Sequence, residues 1–359
     1  MRPDRKLTYA AAIREAFDIA LARDKSVFLI GEGIPDPKGA FGTTIGLQKK
    51  YGKDRVMDMP VSENGMTGVC IGAALSGMRP VLTHMRVDFS LYSFDQIVNT
   101  AAKWYFMFGG KMSVPLVIRM IIGRGWGQGP QHSQSLQALF AHIPGLKVVM
   151  PATAHDAKGL LLCAIEDPNP VIFIEHRWLH STIGPVPDGY YTVPIGVASV
   201  LQRGRDITVV SDSYMTAESM RTVGELAKIG VSAELIDLRS IVPMDMATIL
   251  TSVKKTGRLL VVDTGVRSFG VTAEIVSHVS ERMHARLKVA PQRIGLPDHP
   301  APTSWALAKT YYPTRLTLAK EIIAMVGWKP LRLKKIMKEL TSSHDDRLDT
   351  PDPTFTGPF

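Results

Sequence analysis

Residues 148–175, VVMPATAHDAKGLLLCAIEDPNPVIFIE, predict a strand, a helix and a second strand in succession. Segments 148–151 and 171–175 are short apolar runs with β-branched residues, and Ala154–Glu166 between them carries apolar residues at helical spacing. Strands that are apolar along their whole length and alternate with helices are typical of parallel sheets covered on both faces. This stretch therefore predicts an α/β fold.

The same alternation extends toward the N-terminus. Segment 8–22 places Ile13, Phe17 and Leu21 on one face of a predicted helix. Further strands are predicted at 26–31, 55–59, 81–87 and 114–120. The first half of the chain thus predicts one parallel sheet with helices on both sides.

A Gly-, Pro- and Tyr-rich stretch, 178–194, interrupts the alternation and predicts a linker on the surface. Beyond it, strands are predicted at 207–211, 232–237 and 258–263, and helices at 215–228, 246–254, 272–283 and 316–326. We therefore expect two three-layer α/β/α domains, 1–185 and 195–326, with a linker at 186–194. The composition of the polar tail, 327–359, favours a solvated segment, and a docking segment for a partner is the alternative.

The composition argues against several classes of protein. The 359 residues carry a net charge of +9 and are 45% hydrophobic and 21% charged, which is ordinary for globular proteins. The positive charge is spread along the chain, so we expect no nucleic acid partner. No run of about 18 apolar residues is present, so we expect no membrane-spanning segment. Two cysteines and no recognisable targeting segment predict a cytoplasmic protein without a disulfide framework.

Several familiar active-site motifs are missing from the sequence. The glycine run 123–129 lacks the spacing of a dinucleotide-binding loop, and GGK at 109–111 lacks the rest of a phosphate-binding P-loop. No HExxH, CxxC or GxSxG segment occurs. Spacing therefore predicts neither a zinc site nor a serine hydrolase.

Three residues of catalytic type follow predicted strands or the glycine run. Glu63 opens a predicted helix, Phe89 follows the strand at 81–87, and His132 comes after residues 123–129. The carboxyl ends of parallel strands are where α/β sheets bind their ligands. Each residue also has an ordinary explanation, as a helix-end carboxylate, a core aromatic ring or a neighbour of a helix cap. Taken singly, the three residues leave both interpretations open.

The predicted helix after Glu63 is rich in glycine. Gly65, Gly68 and Gly72 lie three and four positions apart, so they share one face of the helix. Each glycine destabilises a helix by roughly 1 kcal/mol relative to alanine, which calls for a packing reason. We expect a backbone or a ligand to approach this face closely.

Long segments of the chain match a known family in order and spacing. They are MDMPVSENGMTGVCIGAALSGMRPV (57–81), VDFSLYSFDQIVNTAAKWYFMFGGK (87–111), GPQHSQSLQALFAHIPGLKVVMPATAHDAKGLL (129–161), EDPNPVIFIEH (166–176), IDLRSIVPMDMATILTSVKKTGRLLVVDTG (236–265) and RIGLPDHPAPTS (293–304). Over about residues 6–326 the chain resembles the beta subunit of the decarboxylating component of 2-oxo acid dehydrogenase complexes of the pyruvate, branched-chain and acetoin types. These motifs are specific for the family and not for the substrate.

The resemblance implies thiamine diphosphate chemistry, with a transketolase-like pyrimidine-binding domain followed by a transketolase C-terminal domain. Glu63 falls on the family glutamate that shares a proton with a nitrogen of the aminopyrimidine ring, a role that a carboxyl group can fill and an amide cannot. Phe89 falls on the aromatic residue that stacks on this ring, and Val61 is likewise assigned to cofactor binding. His132 falls on the family histidine that faces the substrate.

The resemblance also implies two kinds of metal ion. Some family members hold potassium where this chain has the backbone carbonyls of Leu116, Ala164, Ile165 and Asp167 together with Asn169. Magnesium on the diphosphate is normally held by a GDG segment followed by an asparagine, and this sequence contains no GDG. The resemblance therefore implies an alpha subunit that brings the diphosphate half of the site, in an α2β2 heterotetramer.

Departures from the family leave the substrate open. Arg124 and Trp126 stand in the loop before His132, where relatives often carry a GPNG-type sequence, and Asp263 stands where many relatives have glutamate. We expect a 2-oxo acid substrate, decarboxylation and acyl transfer to a lipoyl acyltransferase. The first alternative is a split transketolase-like or acyloin-forming enzyme with an aldehyde acceptor, and the second is a regulatory subunit without activity.

Overall fold

Residues 5–123 and 128–327 are described in a computed structural model of the chain. In this part of the chain the strands are β1 Lys6–Thr8, β2 Val27–Gly31, β3 Val56–Met57, β4 Arg79–His84, β5 Val117–Ile122, β6 Lys147–Val149, β7 Val171–His176, β8 Ile183–Pro185, β9 Ser199–Gln202, β10 Ile207–Ser211, β11 Ala233–Asp237, β12 Ser240–Val242, β13 Leu259–Val266 and β14 Gln292–Leu296. The helices are α1 Tyr9–Arg23, α2 Leu47–Tyr51, α3 Glu63–Leu75, α4 Ala102–Met107, α5 Gln137–Ala141, α6 Ala154–Glu166, α7 Ser213–Ala227, α8 Met246–Thr256, α9 Val271–Met283, α10 Trp305–Tyr311 and α11 Arg315–Val326.

Two large sheets organise the molecule. The first has seven strands in the order β12-β6-β7-β5-β4-β2-β3, all parallel except β12. The second has five strands in the order β14-β13-β10-β11-β9, all parallel except β9. The two sheets with their covering helices confirm the predicted fold class of two three-layer α/β/α domains.

Apolar cores cover both faces of each sheet. On one face of the first sheet, α1 and α6 pack in a core of their own, and α7 and α11 do the same on the second sheet. The opposite faces share a single core, in which residues of α3 and β4 lie in the same cluster as residues of α8 and α9. Central strands such as β5 and β7 are buried along their whole length, as their β-branched sequences predict.

Local signals explain where several elements begin. The Thr8 hydroxyl accepts a hydrogen bond from the Ala11 backbone N–H (3.1 Å) at the start of α1, and Thr153 does the same for Asp156 (3.1 Å) at the start of α6. Before β6 the chain passes very close to α4 at Gly145, where a Cβ would meet the Ala102 carbonyl oxygen at 1.8 Å. Only glycine fits at that crossing.

The prediction that residues 178–194 form a surface linker is wrong for part of this stretch. Within the stretch 178–194, Trp178 and Leu179 are buried, and Ile183–Pro185 forms β8, which pairs with β1 in a small antiparallel sheet. The short strands β9, β12 and β14 were not predicted. The most consequential is β12, because it follows the linker in sequence and yet pairs with β6 at the edge of the first sheet.

Candidate active site

The carboxyl ends of the central strands of the first sheet meet at one edge. Neighbouring strands end at Gly31, His84 and Ile122, as their pairing register shows. The segments that follow these strands carry most of the polar groups described below. It is the edge at which the sequence predicts a ligand site, because ligands of α/β sheets bind at the carboxyl ends of the strands.

Glu63 is the first residue of α3 and is 9% exposed. A second carboxylate, Glu32, lies nearby at the end of β2, and one of its oxygens is buried without a hydrogen-bond partner in the described residues. Burial raises the pKa of Glu32, and the charges of Glu63 and Asp58 raise it further. Sequence reasoning missed Glu32, although its position directly after a buried strand was the available signal.

Phe89 and His132 lie side by side. Their ring centroids are 5.4 Å apart and the rings are nearly perpendicular, at 88°. Phe89 is half-buried and His132 is exposed. An aromatic face, an imidazole and a carboxyl group at one sheet edge fit a planar heterocycle, because the ring can stack while its nitrogens form hydrogen bonds.

Two side-chain bonds join the segment of Phe89 to the segment of His132. Arg86 donates from Nη2 to Gln128 Oε1 (2.5 Å), and Gln134 donates from Nε2 to Asp88 Oδ1 (2.8 Å). Backbone turns carry these links to the two rings, since the Phe89 N–H donates to the carbonyl of Arg86 and the His132 N–H to that of Gly129. The two cross-links hold both rings in one arrangement. Spacing alone did not predict them.

The glycine face of α3 points outward. Gly65 and Gly72 are exposed, and a Cβ on Gly72 would meet nothing within 4 Å. On Gly68, a Cβ would make only ordinary contact with Gln96 at 3.6 Å. A Cβ on Gly65 would meet only the nearby Ser62 hydroxyl, at 3.2 Å, so no other element of the described chain closely approaches this face. Val61, just before α3, is 83% exposed.

The residues assigned to potassium lie at the opposite edge, before β5 and β7. The carbonyl oxygen of Ile165 accepts from Arg79 Nη1 at 2.8 Å, and that of Asp167 accepts from the same nitrogen at 3.2 Å. Asn169 Oδ1 is buried and has no hydrogen-bond partner in the part of the chain that the structure describes. Two of the assigned oxygens thus already bond the Arg79 guanidinium group, and potassium binding here stays a prediction. The carbonyls of Leu116 and Ala164 each accept one backbone hydrogen bond and have a second lone pair.

Some of the predicted residues lie outside the part of the chain that the structure describes. Arg124 and Trp126, in the loop before His132, and residues 328–359 of the tail lie outside. Within residues 5–123 and 128–327, no cluster of three or more His, Cys, Asp or Glu side chains has metal-binding geometry. No helix in the same residues is long and apolar enough to cross a membrane.

Comparison with known proteins identifies the family. Residues 5–181 match the family described as "Transketolase, pyrimidine binding domain", and residues 196–316 match "Transketolase, C-terminal domain". The chain is 43% identical over 325 residues to the acetoin:2,6-dichlorophenolindophenol oxidoreductase subunit beta of Cupriavidus necator, covering 88% of this chain and 96% of that protein. This chain belongs to the family of E1 beta subunits, the beta subunits of the decarboxylating (E1) component of 2-oxo acid dehydrogenase complexes.

Other relatives of this E1 beta-family chain agree. It is 42% identical over 313 residues to the mitochondrial pyruvate dehydrogenase E1 component subunit beta-1 of Oryza sativa subsp. japonica, covering 86% of this chain and 84% of the rice protein. A solved structure titled "Split gene transketolase, inactive beta4 tetramer" superposes with a TM-score of 0.71 at 20% identity, covering 90% and 99% of the two chains, which shows the shared fold. The predicted resemblance is confirmed, and family membership implies thiamine diphosphate use and an alpha partner.

Proposed function

We propose that this chain is the beta subunit of a thiamine diphosphate-dependent 2-oxo acid dehydrogenase. The observation that carries the proposal is the meeting of Phe89 and His132 at the sheet edge that also carries Glu63. These are the three residue types that the reaction needs from this subunit, and two cross-links hold the rings together. The relatives named as pyruvate and acetoin enzymes support this function over a transketolase-type reaction.

In the proposed reaction, each of four residues of this chain has its own role toward the cofactor or the substrate. Thiamine diphosphate supplies, when bound, a nucleophilic carbon that adds to the 2-oxo group and accepts the electrons released with CO2. Glu63 holds a proton against a nitrogen of the pyrimidine ring, and Phe89 stacks on that ring with Val61 beside it. His132 binds the substrate carboxylate or passes a proton to the acceptor disulfide during acyl transfer. Glu63 and His132 are therefore the proposed catalytic residues.

We further propose that the site is completed by an alpha subunit, in an α2β2 heterotetramer, with magnesium held mainly by that subunit. The exposed glycine face of α3 and the exposed Val61 support this proposal, since both border Glu63 and neither is covered by the described chain. A lipoyl acyltransferase is the proposed acyl acceptor. Potassium, where bound, would be held by the carbonyls of Leu116, Ala164, Ile165 and Asp167 with Asn169.

The finer organisation of the chain also remains a proposal. We place the cofactor-binding domain at 1–185, the linker at 186–194, the C-terminal domain at 195–326 and the tail at 327–359. The cytoplasmic location predicted from the sequence stays a prediction, and the beta subunits of rice and Drosophila melanogaster are named as mitochondrial.

Reconstitution tests the proposed function. The chain is co-expressed with an alpha-type subunit from the same genome that carries the GDG segment, and CO2 release is followed with a panel of 2-oxo acids. Lipoyl domain and 2,6-dichlorophenolindophenol serve as acceptors in one arm and an aldehyde in the other. We expect CO2 release and reductive acylation of the lipoyl domain. Transfer to the aldehyde alone would support the acyloin-forming alternative and contradict the proposal.

A further inference from the structure

Two buried arginines lie together above the carboxyl end of β5. Arg86 follows β4 and Arg177 follows β7, the two strands that flank β5 in the sheet. The guanidinium carbon of Arg177 is 4.5 Å from the centroid of the Phe41 ring, and that of Arg86 is 6.0 Å from the same centroid. Arg86 is 3% exposed and Arg177 is 4% exposed. The structure thus buries two like charges on one aromatic ring.

Burial and neighbouring charges shift the pKa values of this group of residues. Burial lowers the pKa of Arg177 to about 10, and the charge of Arg86 contributes to the shift. Burial likewise lowers the pKa of Arg86 to about 10, with Asp88 acting in the opposite direction. The pKa of His176, the last residue of β7, is lowered to about 3 by burial first and then by His180 and both arginines. Both guanidinium groups remain charged at neutral pH, while His176 is neutral.

Another buried arginine, Arg119, provides a comparison for Arg86. Arg119, which is fully buried, donates from Nε and Nη2 to the two carboxylate oxygens of Glu175, so its charge is neutralised by a bidentate ion pair. Arg86 is bonded differently. It donates from Nη1 to the Gly123 carbonyl (2.5 Å) and from Nη2 to Gln128 Oε1 (2.5 Å), both of which are neutral acceptors.

Arg86 therefore has capacity to bind an anion. A guanidinium group has five N–H donors, and the two bonds to Gly123 and Gln128 leave its Nε–H and one N–H on each terminal nitrogen. Within residues 5–123 and 128–327, Arg86 forms no ion pair with a carboxylate at 4.0 Å or less. A buried charge that lacks an ion pair is costly, and a bound oxyanion would remove that cost.

The arginine pair is continuous with the proposed active site. The carbonyl of Arg86 accepts the N–H of Phe89, so the two residues share one turn. Gln128, which bonds the Arg86 side chain, also accepts from the Ser133 hydroxyl through its carbonyl (3.1 Å), next to His132. The Arg86 side chain is therefore bonded to the two segments that carry Phe89 and His132.

We propose that Arg86, with the charge of Arg177 beside it, forms an oxyanion-binding site for a second anionic group of the substrate, a carboxylate or a phosphate at the end remote from the 2-oxo acid. The assignment of that anion to the substrate rests on the proposed function, whereas the anion site itself does not. Forked guanidinium donors match the planar carboxylate and the phosphate oxygens alike. The preferred substrate is then a 2-oxo acid with an anionic tail, and pyruvate is a poorer one.

Anion binding is tested first on the full chain alone. Thermal unfolding is followed with inorganic phosphate, with succinate, and with chloride at equal ionic strength, for the wild type, Arg86→Met and the exposed control Arg286→Met. We expect phosphate or succinate to raise the unfolding midpoint of the wild type and of Arg286→Met, and to lose this effect in Arg86→Met. Equal stabilisation of Arg86→Met, or none in the wild type beyond chloride, overturns the proposal.

A second variant covers the case in which Arg86→Met does not fold. Arg86→Lys keeps the charge and loses the forked donors, so we expect it to bind the stabilising anion about 10-fold more weakly. Unchanged affinity in Arg86→Lys overturns the proposal. Whether succinate or phosphate binds more tightly decides between a carboxylate and a phosphate tail.

The substrate assignment is tested in the reconstituted complex with pyruvate, 2-oxoglutarate and a phosphate-bearing 2-oxo acid. We expect the ratio of kcat/KM for an anionic-tail substrate to that for pyruvate to fall at least 10-fold in Arg86→Met, mainly through KM. A ratio unchanged by the substitution contradicts the assignment. Anion binding by the chain without turnover of any 2-oxo acid in the complex would contradict the proposed function and leave the anion site standing.

Discussion

The two large sheets present the same kind of edge and use it differently. At the carboxyl edge of the first sheet, His132 is exposed and Phe89 half-buried. At the carboxyl edge of the second sheet, the comparable polar groups are Asp212, Asp237 and Asp263, and all three are buried to 1% exposure or less. Similar architecture therefore leaves one edge open to a ligand and closes the other.

The closed edge contacts the first domain. Gln137, the first residue of α5, donates from Nε2 to Asp263 Oδ1 at 2.6 Å, and Asp156 of α6 pairs with Arg239 at 2.8 Å just after β11. Burial and the adjacent Asp263 carboxylate raise the pKa of Asp212 well above its usual value. The carboxyl edge of an α/β sheet collects polar groups in both domains, and only at the first sheet are some of the described groups accessible to a ligand.

The largest expected effect is the loss of turnover in Glu63→Gln at the open edge. An amide retains the shape of the carboxyl group but cannot share its proton, so we expect activity of the reconstituted enzyme to fall at least 100-fold. The unfolding midpoint should change little. The matched control is Glu274→Gln, an exposed glutamate in the first turn of α9. Activity of Glu63→Gln near that of the control would remove Glu63 from the proposed mechanism.

The next effect concerns stability beneath the open edge. Burial alone would raise the pKa of Glu175, but the charge and hydrogen bonds of Arg119, with help from His180, lower it to about 2. Arg119→Met leaves that carboxylate buried without its main partner, so we expect a loss of about 3–5 kcal/mol in the free energy of unfolding. Urea denaturation measures this loss, with Arg286→Met as the exposed control. A loss below about 1 kcal/mol would show that the pair is not needed for stability.

Substitutions of two glutamines that lie three residues apart test whether the two edges have different roles. Gln134 bonds Asp88 at the open edge and Gln137 bonds Asp263 at the closed edge. We expect Gln137→Ala to destabilise the protein by about 1–3 kcal/mol, because a buried carboxylate loses a donor. Gln134→Ala should instead lower activity about 10-fold, because His132 is held less firmly relative to Phe89. Unfolding and turnover assays on both variants check this, and equal effects of the two substitutions would contradict the comparison.

The smallest expected effect is a change in pH dependence at the closed edge. Burial, followed by the charge of Asp156, raises the pKa of Asp237 to about 7. The folded chain therefore keeps a proton that the unfolded chain releases above about pH 4, so this stabilisation is lost as the pH rises through 7. Between pH 5 and 8 the wild type loses stability, and we expect Asp237→Asn to lose at least about 1 kcal/mol less.

Urea midpoints at several pH values measure that difference. The control is Asp298→Asn, in an exposed loop. Parallel curves for Asp237→Asn and the wild type would show that the carboxyl of Asp237 does not titrate in this range in the folded protein.

Periodicity predicted most of the regular elements, because fully apolar strands and amphipathic helices are local patterns. It missed β12, whose three residues are too short for a pattern and whose partner β6 lies about 90 residues away in the sequence. The predicted strands 81–87 and 114–120 overlap β4 and β5, but their ends are shifted by a few residues, because apolar flanking residues hide where a strand begins and ends. Pairing partners and strand ends depend on tertiary contacts that a local pattern does not contain.

The resemblance supplied the residues of the candidate site, and the side chains that hold them in place were not predicted. The resemblance assigned Glu63, Phe89 and His132, and the structure places the two rings in contact. Glu32, the Arg86–Gln128 bond and the Asp88–Gln134 bond were not predicted, since no spacing rule joins segments more than 40 residues apart. Buried polar contacts of this kind emerge only when the sheet edge assembles.

Calorimetry of thiamine diphosphate binding tests most directly whether this chain contributes one wall of a shared cofactor site. Titrations with magnesium are compared for the chain alone, for its complex with the alpha subunit and for the Glu63→Gln complex. We predict weak binding to the chain alone, tight binding to the complex and weaker binding when Glu63 is replaced. Tight magnesium-dependent binding by the isolated chain, unaffected by Glu63→Gln, would contradict the account.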